Sequence, residues 1–377
     1  MIETKDEEMK FYRLDNILEK APNSCYYFIY GERSNGKSFA VLEYILKEYL
    51  LNGSEGAVIR RWKIDFQGGR GHTTFANLES DKFGVNHVKE LTGGKYSRII
   101  YRNSRWYLGN YDEEQDKMVT APDPFCYAFA LSDYEHDKST SYPRVKNVLF
   151  DEYCPKTGGL YLVDEYVTYM QVLSTIIRHK GDVKVFMCAN SLDRYCLYYR
   201  EFGLLKGIVK QKKGTIDIYD YGNSGLQVAV EYSDSPSDTK PSDKYFAFNN
   251  PALKVITTGE WSFSIYPHLL RKYEEKDVIF RYFIIYEEEI LQCNIVCRDN
   301  EAFTFIHHKT TPIKDEDNDI IFCCDQEQKA NYLTKLTRPT TKIGRQILSF
   351  FTNDKVFYQS NEVGDLVEHY LNWCKQG

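Results

Sequence analysis

Apolar residues along this chain come in two spacings. Short unbroken runs at 25–30 (CYYFIY), 56–60 (GAVIR), 145–150 and 183–189 have the length and composition of strands buried on both faces. Between them, residues 38–51 and 166–178 carry apolar positions three and four apart, which predicts amphipathic helices. Strands interleaved with helices predict a mainly parallel sheet covered on both sides. Further along, the runs 278–286, 290–297 and 302–307 are separated only by short polar turns, which predicts an antiparallel meander. Helical spacing returns at 326–336, 341–351 and 363–373. Residues 233–243 (SDSPSDTKPSD) hold two prolines and no large apolar side chain, the composition of an exposed connection. The pattern therefore predicts an α/β domain over 1–232, a linker over 233–243 and a smaller α+β domain over 244–377.

Composition narrows the class. The chain has 377 residues, 42% of them apolar, 15% aromatic and 27% charged, so it can bury two cores, and wholesale disorder is excluded. No apolar run approaches the roughly 20 residues of a membrane span. The N-terminal MIETKDEEMK lacks the apolar stretch of a signal peptide, so neither membrane nor export is expected. The ten cysteines are scattered inside apolar segments, as free thiols in a reducing compartment would be. A net charge of −6 excludes a protein that coats nucleic acid over its whole surface. Local basic clusters remain: Arg60, Arg61 and Lys63; Lys206, Lys210, Lys212 and Lys213; and Lys329, Lys335, Arg338, Lys342 and Arg345. Each is either a phosphate grip or a solvated face.

The sharpest chemistry lies in GERSNGKS, residues 31–38, between an apolar strand and an amphipathic helix. This fits G-x-x-x-x-G-K-[ST], and the strand–loop–helix context is what that motif requires. Gly31 and Gly36 let the backbone wrap phosphates so that N–H groups and the helix N-terminus face the anion. Lys37 would reach the phosphates of ATP, and the Ser38 hydroxyl would ligate Mg²⁺. The strand VLFDE supplies adjacent carboxylates 114 residues after Lys37: Asp151 for the metal shell, Glu152 as general base. Asn190, at the end of the next strand, is a candidate sensor of the γ-phosphate or the attacking water. Two arginines compete to place positive charge on the transition state, Arg33 in cis within the loop and Arg178 at the end of a helix. Phe11 and Tyr12 could stack on adenine, although core packing explains them as well. Cys293, Cys297, His307 and His308 lack a tight zinc knuckle, so no zinc site is expected.

With these residues in place, the sequence resembles the DNA encapsidation (genome packaging) ATPases of small protein-primed tailed phages, the Picovirinae group. Their wider relatives are the large terminases and other additional-strand ring ATPases. The resemblance covers the first 230 residues and rests on GERSNGKS, VLFDE and the arginine-terminated helix that follows. It implies a P-loop additional-strand domain, a motor that hydrolyses ATP with Mg²⁺, and double-stranded DNA and a portal-bearing procapsid as partners. It also implies a homo-oligomeric ring, a pentamer in the family, assembled in the host cytoplasm, and leaves an RNA adaptor open. By the same resemblance Arg178 matches a trans-acting arginine finger, and Lys138 a basic residue of nucleotide exchange and subunit coordination. The second domain is implied to be RNase H-like. Its first strand, 279–286, carries no carboxylate, and Asp325 and Glu368 are too few for two metals, so a nuclease-dead version is expected. A terminase with active nuclease, or a slowly hydrolysing phage assembly scaffold, are the alternatives.

Overall fold

The structure is a computed structural model. It describes residues 12–33, 35–81, 83–113, 116–136, 140–155, 161–190, 195–234, 265–270, 272–287, 289–298, 301–324 and 329–375. The chain divides into two compact units, residues 1–155 with 164–261 and residues 156–163 with 262–377. Residues 235–243 of the expected linker lie outside the described residues. Ser233, at its start, is still buried and donates its backbone N–H to the Tyr30 carbonyl at 2.8 Å.

The first unit is built on β1 (Tyr26–Gly31), β2 (Glu55–Arg60), β3 (Arg98–Arg102), β4 (Arg105–Asp112), β5 (Lys117–Thr120), β6 (Cys126–Ala130), β7 (Val145–Asp151), β8 (Lys184–Asn190), β9 (Thr215–Tyr221) and β10 (Leu226–Tyr232). They form one sheet in the order β3-β4-β6-β2-β7-β8-β1-β10-β9, with β5 on β4. The six strands from β6 to β10 in that order run parallel, and the antiparallel pairs lie at the margins. All six residues of β1 are buried, as are six of seven in β7. Cover on both faces is the physical reason these strands read as unbroken apolar runs rather than alternation.

The helix Lys37–Asn52 buries Val41, Leu42, Ile45 and Leu46 as one stripe against this sheet, each worth about 1.5–3 kcal/mol. It stops at Gly53, whose φ of 72° lets the backbone turn left-handed and cap the last turn. Gly56 on β2 makes the close approach possible. A Cβ there would lie 2.3 Å from Ile45 Cγ2.

The second unit holds β11 (Val278–Tyr286), β12 (Glu289–Arg298), β13 (Glu301–His308), β14 (Ile320–Cys323), β15 (Tyr332–Leu333) and β16 (Val356–Tyr358), in the order β15-β14-β11-β12-β13-β16. The first three strands are antiparallel neighbours, and β14 and β15 then add in parallel on the far side of β11. The antiparallel meander expected over 278–307 is present as β11, β12 and β13. Helices Lys342–Thr352 and Asn361–Lys375 follow as the spacing predicts. The helix expected over 326–336 is corrected by its described part. Tyr332 and Leu333 pair in parallel with Ile321 and Phe322, and the Asn331 amide bonds the carbonyls of Glu316 and Asp319, so sheet pairing overrides the local spacing.

Candidate functional site: a phosphate loop facing two carboxylates

The strand order explains how the chemistry assembles. β8 lies between β1 and β7, so the phosphate loop leaving β1 and the acids ending β7 are separated by one inserted strand, the additional-strand arrangement. All three strands run parallel, so their C-terminal ends open on the same side of the sheet, where α/β folds bind ligands. Asn190, the last residue of β8, is the register partner of Gly31. Asp151 pairs in register with Cys188, and the Glu152 N–H donates to the Cys188 carbonyl at 2.8 Å.

Gly36 takes φ 93°, a left-handed conformation that only glycine adopts freely, and Lys37 opens the helix directly after it. Lys37 is buried, and its ammonium donates to the Glu32 carbonyl at 2.6 Å and to Asn35 Oδ1 at 2.9 Å. Burial pushes its pKa down to about 8, with Asp151 and Glu32 among the groups opposing that fall. Asn35 is itself buried, and its carbonyl accepts from the Tyr12 N–H at 3.0 Å. Lys213 pairs with the Glu32 carboxylate, so one member of the second basic cluster braces the loop.

Ser38 Oγ donates to Asp151 Oδ1 at 2.6 Å. Hydroxyl and carboxylate oxygens in contact are hard donors of the kind Mg²⁺ takes when substrate phosphates supply further ligands, so these residues fit that ion. Among the described residues no three His, Cys, Asp or Glu side chains group as a metal cage. Glu152 is exposed and has φ 59°. A positive φ in a non-glycine residue is a strained backbone conformation of the kind that gathers at functional sites.

The cluster Arg60, Arg61 and Lys63 falls apart as a DNA grip. Arg60 Nη2 pairs with Asp151 Oδ2 at 2.6 Å, with side chains 24% and 9% exposed. Burial opposes its charge, but Asp151, Glu152 and Asp65 hold its pKa above the ordinary value. Arg61 is buried and forks onto Glu165, the first residue of helix Glu165–Ile177. It also donates to the carbonyls of Glu152 at 3.3 Å and Tyr153 at 2.8 Å. Sequence reasoning missed both roles because they depend on β2 lying beside β7. Lys63 pairs with Asp133.

Arg178 follows the helix end with φ 46°, is exposed, and donates Nη2 to the Thr140 carbonyl at 2.8 Å. Arg33 is exposed at the phosphate loop. Lys138, Phe11 and Asp325 lie outside the described residues. Tyr12 is a core residue whose hydroxyl donates to Glu231 Oε2 at 2.7 Å. In the second unit, β11 carries no carboxylate, and Tyr266 donates to Asp365 at 2.9 Å and also meets Glu368.

Residues 117–240 match the family model described as podovirus DNA encapsidation protein (Gp16). Over these residues the chain is similar to podovirus DNA encapsidation proteins. The DNA packaging protein of Bacillus phage phi29 is 21% identical over 214 residues, 56% of this chain and 55% of the relative, so the chain covers about half the length of the relatives it matches. Among solved structures, the Phi-28 gp11 DNA packaging motor superposes with a TM-score of 0.54 at 17% identity over 97% of this chain and 98% of that one. The bacteriophage Phi-29 genome packaging motor assembly gives 0.53 at 15% identity over 97% and 99%. These two packaging motors and this chain share a fold.

Proposed function

We propose that this chain is an ATP-driven motor that moves double-stranded viral DNA into a procapsid. The observation that carries the reading is the Ser38–Asp151 contact, which brings the phosphate loop and the acid strand together across β8. The relatives named for DNA encapsidation and DNA packaging support the same reading.

Bound Mg²⁺ would neutralise phosphate charge, held by Ser38 and Asp151. Lys37 would turn from the Glu32 carbonyl and Asn35 to the β- and γ-phosphates, and the loop N–H groups beside Gly31 and Gly36 would cradle them. Glu152 would accept the proton of the attacking water, and Asn190 would orient that water. Arg178 would reach a neighbouring subunit, with Arg33 nearer its own nucleotide. A finger acting in trans requires a ring, for which we adopt the family's pentamer, docked on the portal. An RNA adaptor is compatible with this assembly, and Lys138 would take part in nucleotide exchange. The second unit would dock rather than cut, because its first strand has no acid to share between two metals.

The decisive experiment measures ATP hydrolysis with and without double-stranded DNA and procapsids, with Glu152→Gln as control. Stimulation by DNA that vanishes in Glu152→Gln, while nucleotide binding persists, supports the motor. Hydrolysis indifferent to DNA and procapsid would leave a scaffold, and metal-dependent DNA cutting would make it a terminase.

A further inference from the structure

The strands β3, β4 and β5 take no part in the nucleotide site. The turn between β3 and β4 is Asn103–Ser104, with φ of 52° and 57°, a two-residue turn in which both residues are left-handed. Its tip is tied to the sheet by the Ala128 N–H, which donates to the Ser104 carbonyl at 2.9 Å. This turn makes Arg102 and Arg105 direct partners in the ladder. Like charges placed opposite each other on a strand pair are destabilising. Among the described residues neither arginine has a carboxylate partner. Arg98, four residues earlier on the same side of β3, is answered by Glu79 at 3.1 Å. No acid stands on that side of the three strands.

Both guanidiniums are instead supported from beneath. Arg102 lies 4.3 Å from the centroid of the buried Tyr107 ring and donates to Thr120 Oγ1 at 3.1 Å. Arg105 lies 5.8 Å from the Tyr127 centroid. A planar guanidinium seated on an aromatic face loses little further freedom when its edge forks onto an anion. Both arginines are exposed, so those edges face solvent. In a chain of net charge −6, this face is a rigid cationic exception.

We propose that the outward face of the β3–β4 hairpin contacts the phosphodiester backbone of double-stranded DNA, with Arg102 and Arg105 each forked onto a phosphate. The proposal rests on the motor reading and assigns a contact surface to it. A guanidinium forked onto a phosphate carries no sequence information, as a motor that moves along arbitrary DNA requires.

The test uses the full chain with Arg102→Gln and Arg105→Gln together, and measures duplex binding by anisotropy from low to moderate salt. Two lost phosphate contacts should flatten the log–log salt slope by about two. Hydrolysis without DNA should stay unchanged, since neither residue belongs to the nucleotide site. Lys47→Gln, an exposed cation already paired with Glu43, should leave the slope alone. A folded double variant with the wild-type slope overturns the assignment. So does a variant that loses duplex RNA binding or subunit assembly while its DNA slope holds. If the wild type itself shows no salt-dependent DNA binding, the motor reading falls with it, which separates the two failures.

Discussion

Arg61 and Glu165, 104 residues apart in sequence, meet in a two-pronged buried pair, Nε to Oε2 at 2.7 Å and Nη2 to Oε1 at 2.8 Å. Tyr198 adds its hydroxyl to Oε1 at 2.8 Å. One guanidinium thereby joins β2, the turn carrying Glu152, and the helix that ends at Arg178.

Removing one partner strands a buried charge, so Arg61→Met should cost about 3–5 kcal/mol, read as a lower urea midpoint. Arg61→Met with Glu165→Met should recover most of that loss. The double variant should still hydrolyse ATP slowly, because the Glu152 and Tyr153 carbonyls have lost their donor. Full activity in a refolded double variant would reduce the pair to packing.

Burial pushes the Lys37 pKa down to about 8. Polyphosphate favours the charged ammonium, so binding raises that pKa and takes up a proton above pH 8. Nucleotide affinity should fall by up to about tenfold per pH unit above 8. Calorimetry at pH 8.5 in two buffers of different ionisation enthalpy reads the proton directly. Affinity flat from pH 7 to 9.5 would refute the assignment.

Glu231 is raised to about 7 by burial, against the lowering effect of the Tyr12 hydroxyl. Native Glu231 holds a proton that the unfolded carboxyl releases near its ordinary value, so its contribution to stability falls as pH rises from about 4.5 to about 7. Glu231→Gln keeps an acceptor for Tyr12 and carries no charge. It should match the wild type near pH 4.5 and exceed it above pH 7 by up to about 3 kcal/mol. Urea midpoints at the two pH values decide it, and equal gains at both would exclude titration as the cause.

Arg178 donates to Thr140 of its own chain, so action in trans requires that contact to break. Arg178→Ala subunits mixed with Lys37→Ala subunits should regain part of the hydrolysis that each lacks alone, because a mixed interface pairs an intact loop with an intact finger. No recovery in rings shown to be mixed, or a full defect from Arg33→Ala alone, would place the arginine in cis.

The parallel core was legible because strands covered on both faces leave unbroken apolar runs, and the phosphate loop because glycine spacing there is dictated by backbone geometry. Gly31, Gly36, Lys37, Ser38, Asp151, Glu152 and Asn190 converge because β1, β8 and β7 are neighbours, whereas sequence supplied only their types and spacing. Arg60 and Arg61 were hidden for the complementary reason. A pair of arginines after a strand reads as a basic patch until the strand beside it is known to end in Asp151 and Glu152. The hairpin at Arg102 and Arg105 was hidden because Ile100 and Tyr107, on the arginine side, interrupt the alternation that a half-buried hairpin shows. The segment at 332–333 read as helix because strand pairing with β14 is a long-range choice that local spacing does not encode.

Tyr266 places one phenol against two carboxylates of the last helix, Asp365 and Glu368. A divalent ion offered to this helix would first have to displace that hydroxyl, so Tyr266→Phe is the single substitution that would free both acids for a cation.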